Sequence, residues 1–191
     1  MKRILTIFFL ITLGLFSNEY SYGQTFTYNG GPGCTFTSGS PCWTVSGQCG
    51  SGNSTLPLST AIFNKATGCP ITIIIRANLT ITATNIIMGG VFDNLIVENG
   101  ATLNIVGNVT IDKNQEVTWR TQTGGKINIQ GGVLLDAGTS TILNIEGDNV
   151  NNSVAANVTV NTINFANDVT INIKQGAALI VNEDTISTSA N

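Results

Sequence analysis

Several residues in this 191-residue chain have the types that chemistry needs, and their spacing decides how far each can be taken. Acidic residues fall in near pairs: Asp112 with Glu116, Glu146 with Asp148, and Glu183 with Asp184, while Asp136 and Asp168 stand alone. A glycosidase needs two carboxylates about 5 to 9.5 Å apart across the scissile bond. No motif supports these pairs, and most lie among turn residues, where solvated charge is the default. A polysaccharide-cleaving lyase would add a basic residue beside carboxylate-held calcium. Arg76, Arg120 and Lys126 are the choices, and nothing in the sequence groups them. The chain has no histidine, which excludes Ser-His-Asp and Cys-His catalysis. These residues argue against an enzyme, and they imply no cofactor.

Trp119 beside Arg120 is the pair best suited to binding. An aromatic face stacks on sugar rings, and a guanidinium fixes hydroxyls or carboxylates. The competing reading makes Trp119 an interior plug, as large aromatics often are. Thr80, Thr82 and Thr84 would share one strand face, as an ice-binding array requires, but the run does not recur, and β-propensity accounts for it. Asp148-Asn149-Val150-Asn151-Asn152 is rich in oxygen ligands yet poor in acid, so it reads as a turn and not a calcium loop.

The four cysteines are Cys34, Cys42, Cys49 and Cys69, and none is close enough to the next to make a C-x-x-C. With no histidine either, no metal site is expected. Two disulfides are expected, with three pairings open. They would staple a cap at the start of the folded chain.

The N-terminus has the layout of a secretory signal peptide: Lys2 and Arg3, then an apolar run from Ile4 to Phe16, then Ser21-Tyr22-Gly23 with small residues for cleavage before Gln24. That run falls short of the ~20 residues needed to span a bilayer. The expected location is extracellular or on the cell surface, with no membrane span after cleavage. From Gln24 onward six basic and ten acidic residues remain, a net charge of −4 with no basic cluster. Nucleic acid, which needs several Lys or Arg against its phosphates, is not an expected partner.

Two textures follow. Residues 24–70 are rich in Gly, Ser, Thr and Pro and hold the cysteines; Leu58–Ala66 could be a short capping helix. From 71 to 191 short aliphatic runs alternate with polar residues and stop at glycines. Expected strands are Ile71–Ile75, Leu79–Ala83, Leu95–Val97, Thr102–Ile105, Val109–Ile111, Val117–Trp119 and Lys126–Ile129. Further on they are Val133–Leu135, Thr141–Ile145, Val158–Val160, Ile163–Phe165, Val169–Ile173 and Leu179–Val181. Gly124-Gly125, Gly131-Gly132 and similar pairs would separate them.

One phrase recurs. It reads Leu103-Asn104-Ile105, Ile127-Asn128-Ile129, Leu143-Asn144-Ile145 and Ile171-Asn172-Ile173. Strands that recur without helices must bury their apolar faces on one another. The expected fold is all-β: a right-handed parallel β-helix, or β-solenoid, of five to six rungs and roughly 25 Å in height. The phrases begin at positions 103, 127, 143 and 171, and these uneven steps suit rungs of variable length. In one stack Asn104, Asn128, Asn144 and Asn172 would form a single hydrogen-bonded ladder.

The segment Asn99-Gly100-Ala101-Thr102-Leu103-Asn104-Ile105-Val106-Gly107-Asn108-Val109-Thr110-Ile111 resembles the texture of β-helical exported surface proteins of Bacteroidota-type bacteria and of adhesin passenger domains. The resemblance covers about residues 71–181. It is one of composition, so it implies a fold and a compartment but no site residues. Such proteins often continue through more rungs, and this chain shows no sorting domain after Ser187. The expectation is a leading part of a longer protein, or a coil capped by oligomerising. Asp184-Thr185-Ile186 resembles the O-glycosylation pattern of such proteins, and Asn53, Asn78, Asn108, Asn151 and Asn157 match N-x-[ST]. The expected function is a non-catalytic, adhesin-like surface meeting a host or neighbour cell or a surface polysaccharide. The alternative is a small carbohydrate-binding β-helix related in fold to polysaccharide lyases, centred on Trp119 and Arg120.

Overall fold

The structure is a computed structural model that describes residues 23–32, 34, 42–47, 71–88, 93–112, 114–135, 140–148, 156–165, 169–174, 176–183 and 186–187. The leader through Tyr22, the Leu58–Ala66 segment, Cys49, Cys69, Asn149–Asn152 and Asp184-Thr185 lie outside the described residues. So do the lone acids Asp136 and Asp168 and the sequons at Asn53 and Asn151.

Every regular element among the described residues is a strand. In chain order they begin with β1 (Gln24–Tyr28), β2 (Trp43–Gly47), β3 (Ile71–Ile75), β4 (Thr80–Ala83) and β5 (Ile86–Met88). Next come β6 (Asp93–Val97), β7 (Thr102–Ile105), β8 (Val109–Ile111), β9 (Glu116–Thr121) and β10 (Lys126–Leu135). The last are β11 (Thr141–Gly147), β12 (Ala156–Phe165), β13 (Val169–Ile173), β14 (Ala177–Val181) and β15 (Ile186–Ser187).

The protein is a β-solenoid. Face A stacks β1, β3, β6, β9, β11 and β13 in parallel, with β2 antiparallel at its outer edge. Face B stacks β4, β7, the first half of β10, the first half of β12, and β14. A third face holds β5, β8, the second halves of β10 and β12, and β15. Strand alternation sets what goes inside. In β3, Ile71, Ile73 and Ile75 point inward at 1% exposure or less, while Thr72 and Ile74 point out. The three faces enclose one apolar core, in which each fully buried Ile or Leu contributes about 1.5–3 kcal/mol.

The register counts the turns. On face A, Ile73 lies beside Leu95, Leu95 beside Trp119, Trp119 beside Ile145, and Ile145 beside Ile173. These are four turns, and each spends slightly more chain than the one before it. The coil thus makes about four turns, linking the five strands β3, β6, β9, β11 and β13, a count slightly different from the five to six rungs expected. The recurring phrase misleads because it sits on two faces. Leu103 to Ile127 is one turn on face B, and Leu143 to Ile171 is one turn on face A. The step from Ile127 to Leu143 is a passage from face B around to face A.

Two corners explain the glycines. From face A to face B the chain turns through a left-handed residue in three successive rungs, Asn78 (φ 60°), Gly100 (φ 67°) and Gly124 (φ 72°), and again between β13 and β14 at Gly176 (φ 81°). Glycine and asparagine tolerate that region best. The corners bond to one another, Asn78 N–H to Asn99 O and Gly100 N–H to Thr123 O, both at 3.0 Å. At the next corner Gly131-Gly132 does not end a strand, as the sequence suggests, but forms a bulge within β10. Gly131 N–H donates to Gly107 O at 3.1 Å, and a Cβ there would meet that same carbonyl. Below it, Asn85 and Asn108 act as rivets. Asn85 Oδ1 accepts from Asn108 N–H, and Asn108 Oδ1 from Gly132 N–H, each at 2.8 Å.

The N-terminal residues join this coil directly. β1 lies in register on β3, with Phe26 beside Ile73, so the cap and the coil share a sheet. Cys34 and Cys42 form a disulfide in the link between β1 and β2. Trp43 packs edge-on against Tyr28, with ring centres 5.1 Å apart.

Candidate interaction surface

Trp119 does not lie on the surface. Its neighbours Val117 and Thr121 in β9 are inward-facing, and period two carries Trp119 inward with them to 1% exposure. It occupies the column between Leu95 and Ile145, and its Nε1–H donates to Met88 Sδ at 3.3 Å. The stacking platform expected from Trp119 and Arg120 is therefore absent. Adjacent strand residues point to opposite sides of a sheet, so the pair cannot act together on one ligand.

Arg120 faces outward and belongs to a different group. Its Nε–H donates to Glu146 Oε2 at 3.1 Å, and Lys174 Nζ donates to Glu146 Oε1. The three residues lie in one column on face A, one per rung. The Lys174 and then the Arg120 hydrogen bonds hold the Glu146 carboxyl below the usual carboxylate range. Ile96 continues the column beside Arg120, and Ile74 lies beside Ile96. The sequence carried a signal for this triad. Glu146 and Lys174 follow the aligned phrases Leu143-Asn144-Ile145 and Ile171-Asn172-Ile173 at the same position.

The four asparagines form two pairs on two faces, not one column of four. On face B, Asn128 Nδ2 donates to Asn104 Oδ1 at 2.9 Å. On face A, Asn172 Nδ2 donates to Asn144 Oδ1 at 3.0 Å, and Asn144 Nδ2 donates to Glu116 Oε1 at 3.0 Å. The phrase repeats once on each face, so each face gets one asparagine pair. Neighbouring positions supply threonine or asparagine. Thr72, Asn94, Thr118, Asn144 and Asn172 run down face A. Thr82, Asn104, Asn128 and Thr159 run down face B. Thr80 is followed by Thr102 and then Lys126, so no repeated threonine array forms.

The acidic residues are dispersed over the coil. Glu116 accepts from Asn144, Glu146 holds two cations, and Glu183 accepts from Asn161 Nδ2 at 2.8 Å. Glu98 pairs with Arg76 at 3.3 Å and accepts from Ala77 N–H at 3.0 Å across a corner. Among the described residues no group of three or more His, Cys, Asp or Glu is placed to hold a metal ion. Among them, too, no helix is long and apolar enough to cross a membrane.

No protein-family model, no curated protein and no solved structure matches the chain.

Proposed function

We propose that this protein is an exported, non-catalytic, adhesin-like coil that presents a stiff Thr/Asn surface to a neighbouring cell or its polysaccharide. The observation that carries the reading is the pair of Thr/Asn columns on the outer side of faces A and B, held in register by hydrogen bonds between rungs, in which Asn104, Asn128 and Asn172 reach solvent and Asn144 is buried. Side chains fixed by their neighbours lose little rotamer freedom on binding, which suits a weak, repeated polar contact. Export rests on the leader-like N-terminus, and the Cys34–Cys42 disulfide suits an oxidising compartment. The non-catalytic reading rests on the lack of histidine and on the use of Glu116, Glu146 and Glu98 in bonds between rungs.

The test is adhesion. Beads coated with the purified protein are mixed with producer cells and with other cells sharing their habitat. Retention on a cell surface, weakened by Asn104→Lys with Asn128→Lys, is the expected result. Beads that bind no cell, while the protein cleaves a polysaccharide, would overturn it.

A further inference from the structure

The two ends of the coil differ. At the N-terminal end β2 lies antiparallel across β1 and presents Thr44, Val45, Ser46 and Gly47 to solvent, with Val45 its one exposed large apolar side chain. At the other end the last strand of face A among the described residues is β13. In the preceding rung Leu143 and Ile145 are 1% and 0% exposed. Of their register partners, Ile171 is only partly buried and Ile173 is 52% exposed. β13 bonds β11 on one edge, and a strand edge with apolar side chains is a template for a further strand.

We propose that this end is a self-association face, on which β13 of one copy pairs antiparallel with β13 of a second copy about a two-fold axis through Ile171. The sequence of β13, Val-Thr-Ile-Asn-Ile, is self-complementary in that pairing. Val169 opposes the partner's Ile173, Thr170 opposes the partner's Asn172, and Ile171 opposes itself. Apolar residues meet on the inner side and polar residues on the outer side. Asn172 commits its Nδ2 to Asn144, and its Oδ1 suits a hydroxyl donor such as the partner's Thr170. A two-fold contact uses the same patch on both copies and closes at a dimer. An end-to-tail contact would pair β13 with β2, whose apolar side offers only Val45, since Trp43 is already buried and Gly47 has no side chain, and it would run on into a fibre. The mismatch between the two strands disfavours it. This inference is independent of what the lateral faces bind.

Sedimentation equilibrium of the purified full chain is the test. The expected mass is twice that of the chain, without larger species as concentration rises. Ile173→Lys replaces a side chain that is already half-exposed in one copy, so the fold, read by circular dichroism, is kept while the mass falls to that of one chain. Ile180→Lys, at a 45% exposed position on face B, leaves the dimer intact. Ile171→Cys places two thiols on the axis and gives a covalent dimer under oxidation, which Ile180→Cys does not. A single-chain mass at all concentrations, an open series of masses, or a dimer unaffected by Ile173→Lys would each overturn the proposal.

Discussion

Trp119 points its indole N–H at the sulfur of Met88, 3.3 Å away and 31 residues earlier in the chain. The bond crosses the interior from face A to the third face, and both side chains are 1% exposed. Sulfur is a weak acceptor, so the value of the contact lies mostly in filling volume. We expect Trp119→Ala to destabilise the fold by about 3–5 kcal/mol. Urea denaturation followed by circular dichroism checks this. A surface tryptophan would give a change well under about 1 kcal/mol.

Asn144 is 4% exposed and lies between Glu116 and Asn172, bonded to both. Its loss strands the Glu116 carboxylate on one side and the Asn172 amide on the other. We expect Asn144→Ala to cost about 1–3 kcal/mol and Asn172→Ala, at the exposed end of the ladder, under about 1 kcal/mol. Equal losses for the two variants in thermal melts would contradict the ladder.

Glu146 titrates below its ordinary 4.5, chiefly because Lys174 and then Arg120 bond its carboxylate. A carboxyl depressed in the folded state binds its proton more readily when unfolded. Its stabilisation is therefore complete above the ordinary value and is lost as pH falls through the folded one. Arg120 and Lys174 are 51% and 55% exposed, so water screens both pairs. We expect Glu146→Gln to cost less than about 1 kcal/mol at neutral pH and to flatten part of the acid limb of the stability curve. Added salt should shrink the same difference. A variant that melts like the wild type at pH 7 but departs from it at pH 3 would refute the sign.

Gly100 and Gly124 share the left-handed corner but differ in what surrounds them. A Cβ on Gly124 would find its nearest neighbours at 3.8 Å, so Gly124→Ala should cost only the conformational term, about 1–2 kcal/mol. A Cβ on Gly100 would meet Asn78 Oδ1 at 2.8 Å, so Gly100→Ala should cost more. In an Asn78→Gly background the two alanines should cost the same. Chemical denaturation of the five variants decides it.

Much of the coil is legible in period-two alternation. β3, β7, β8 and β13 begin and end where the aliphatic pattern does. β5 is harder to see, because Ile86-Ile87-Met88 has no polar residue to mark which side faces out. Gly131-Gly132 suggests a stop, yet the carbonyl of Gly107 one rung away keeps the ladder bonded through it. Which face a phrase occupies depends on the chain length spent at corners, and that length varies from rung to rung. So the asparagines are readable as stacked residues, but not as two separate pairs. Trp119 shows the same limit. Its side of the strand follows from Val117 and Thr121 only once the whole of Glu116–Thr121 is known to be extended.

The turns of face A lengthen steadily, from the shortest between Ile73 and Leu95 to the longest between Ile145 and Ile173, and this has a mechanical consequence. Each rung is bonded only to its neighbours, so a force applied to the chain's far end would peel the coil one rung at a time. At about 3.4 Å of extended chain per residue, the released lengths run from roughly 95 Å down to roughly 75 Å. Because no two are equal, a pulling trace would carry its own scale, each rupture naming the rung that gave way. The longest would come first and the shortest last, next to the strands that flank the Cys34–Cys42 bridge.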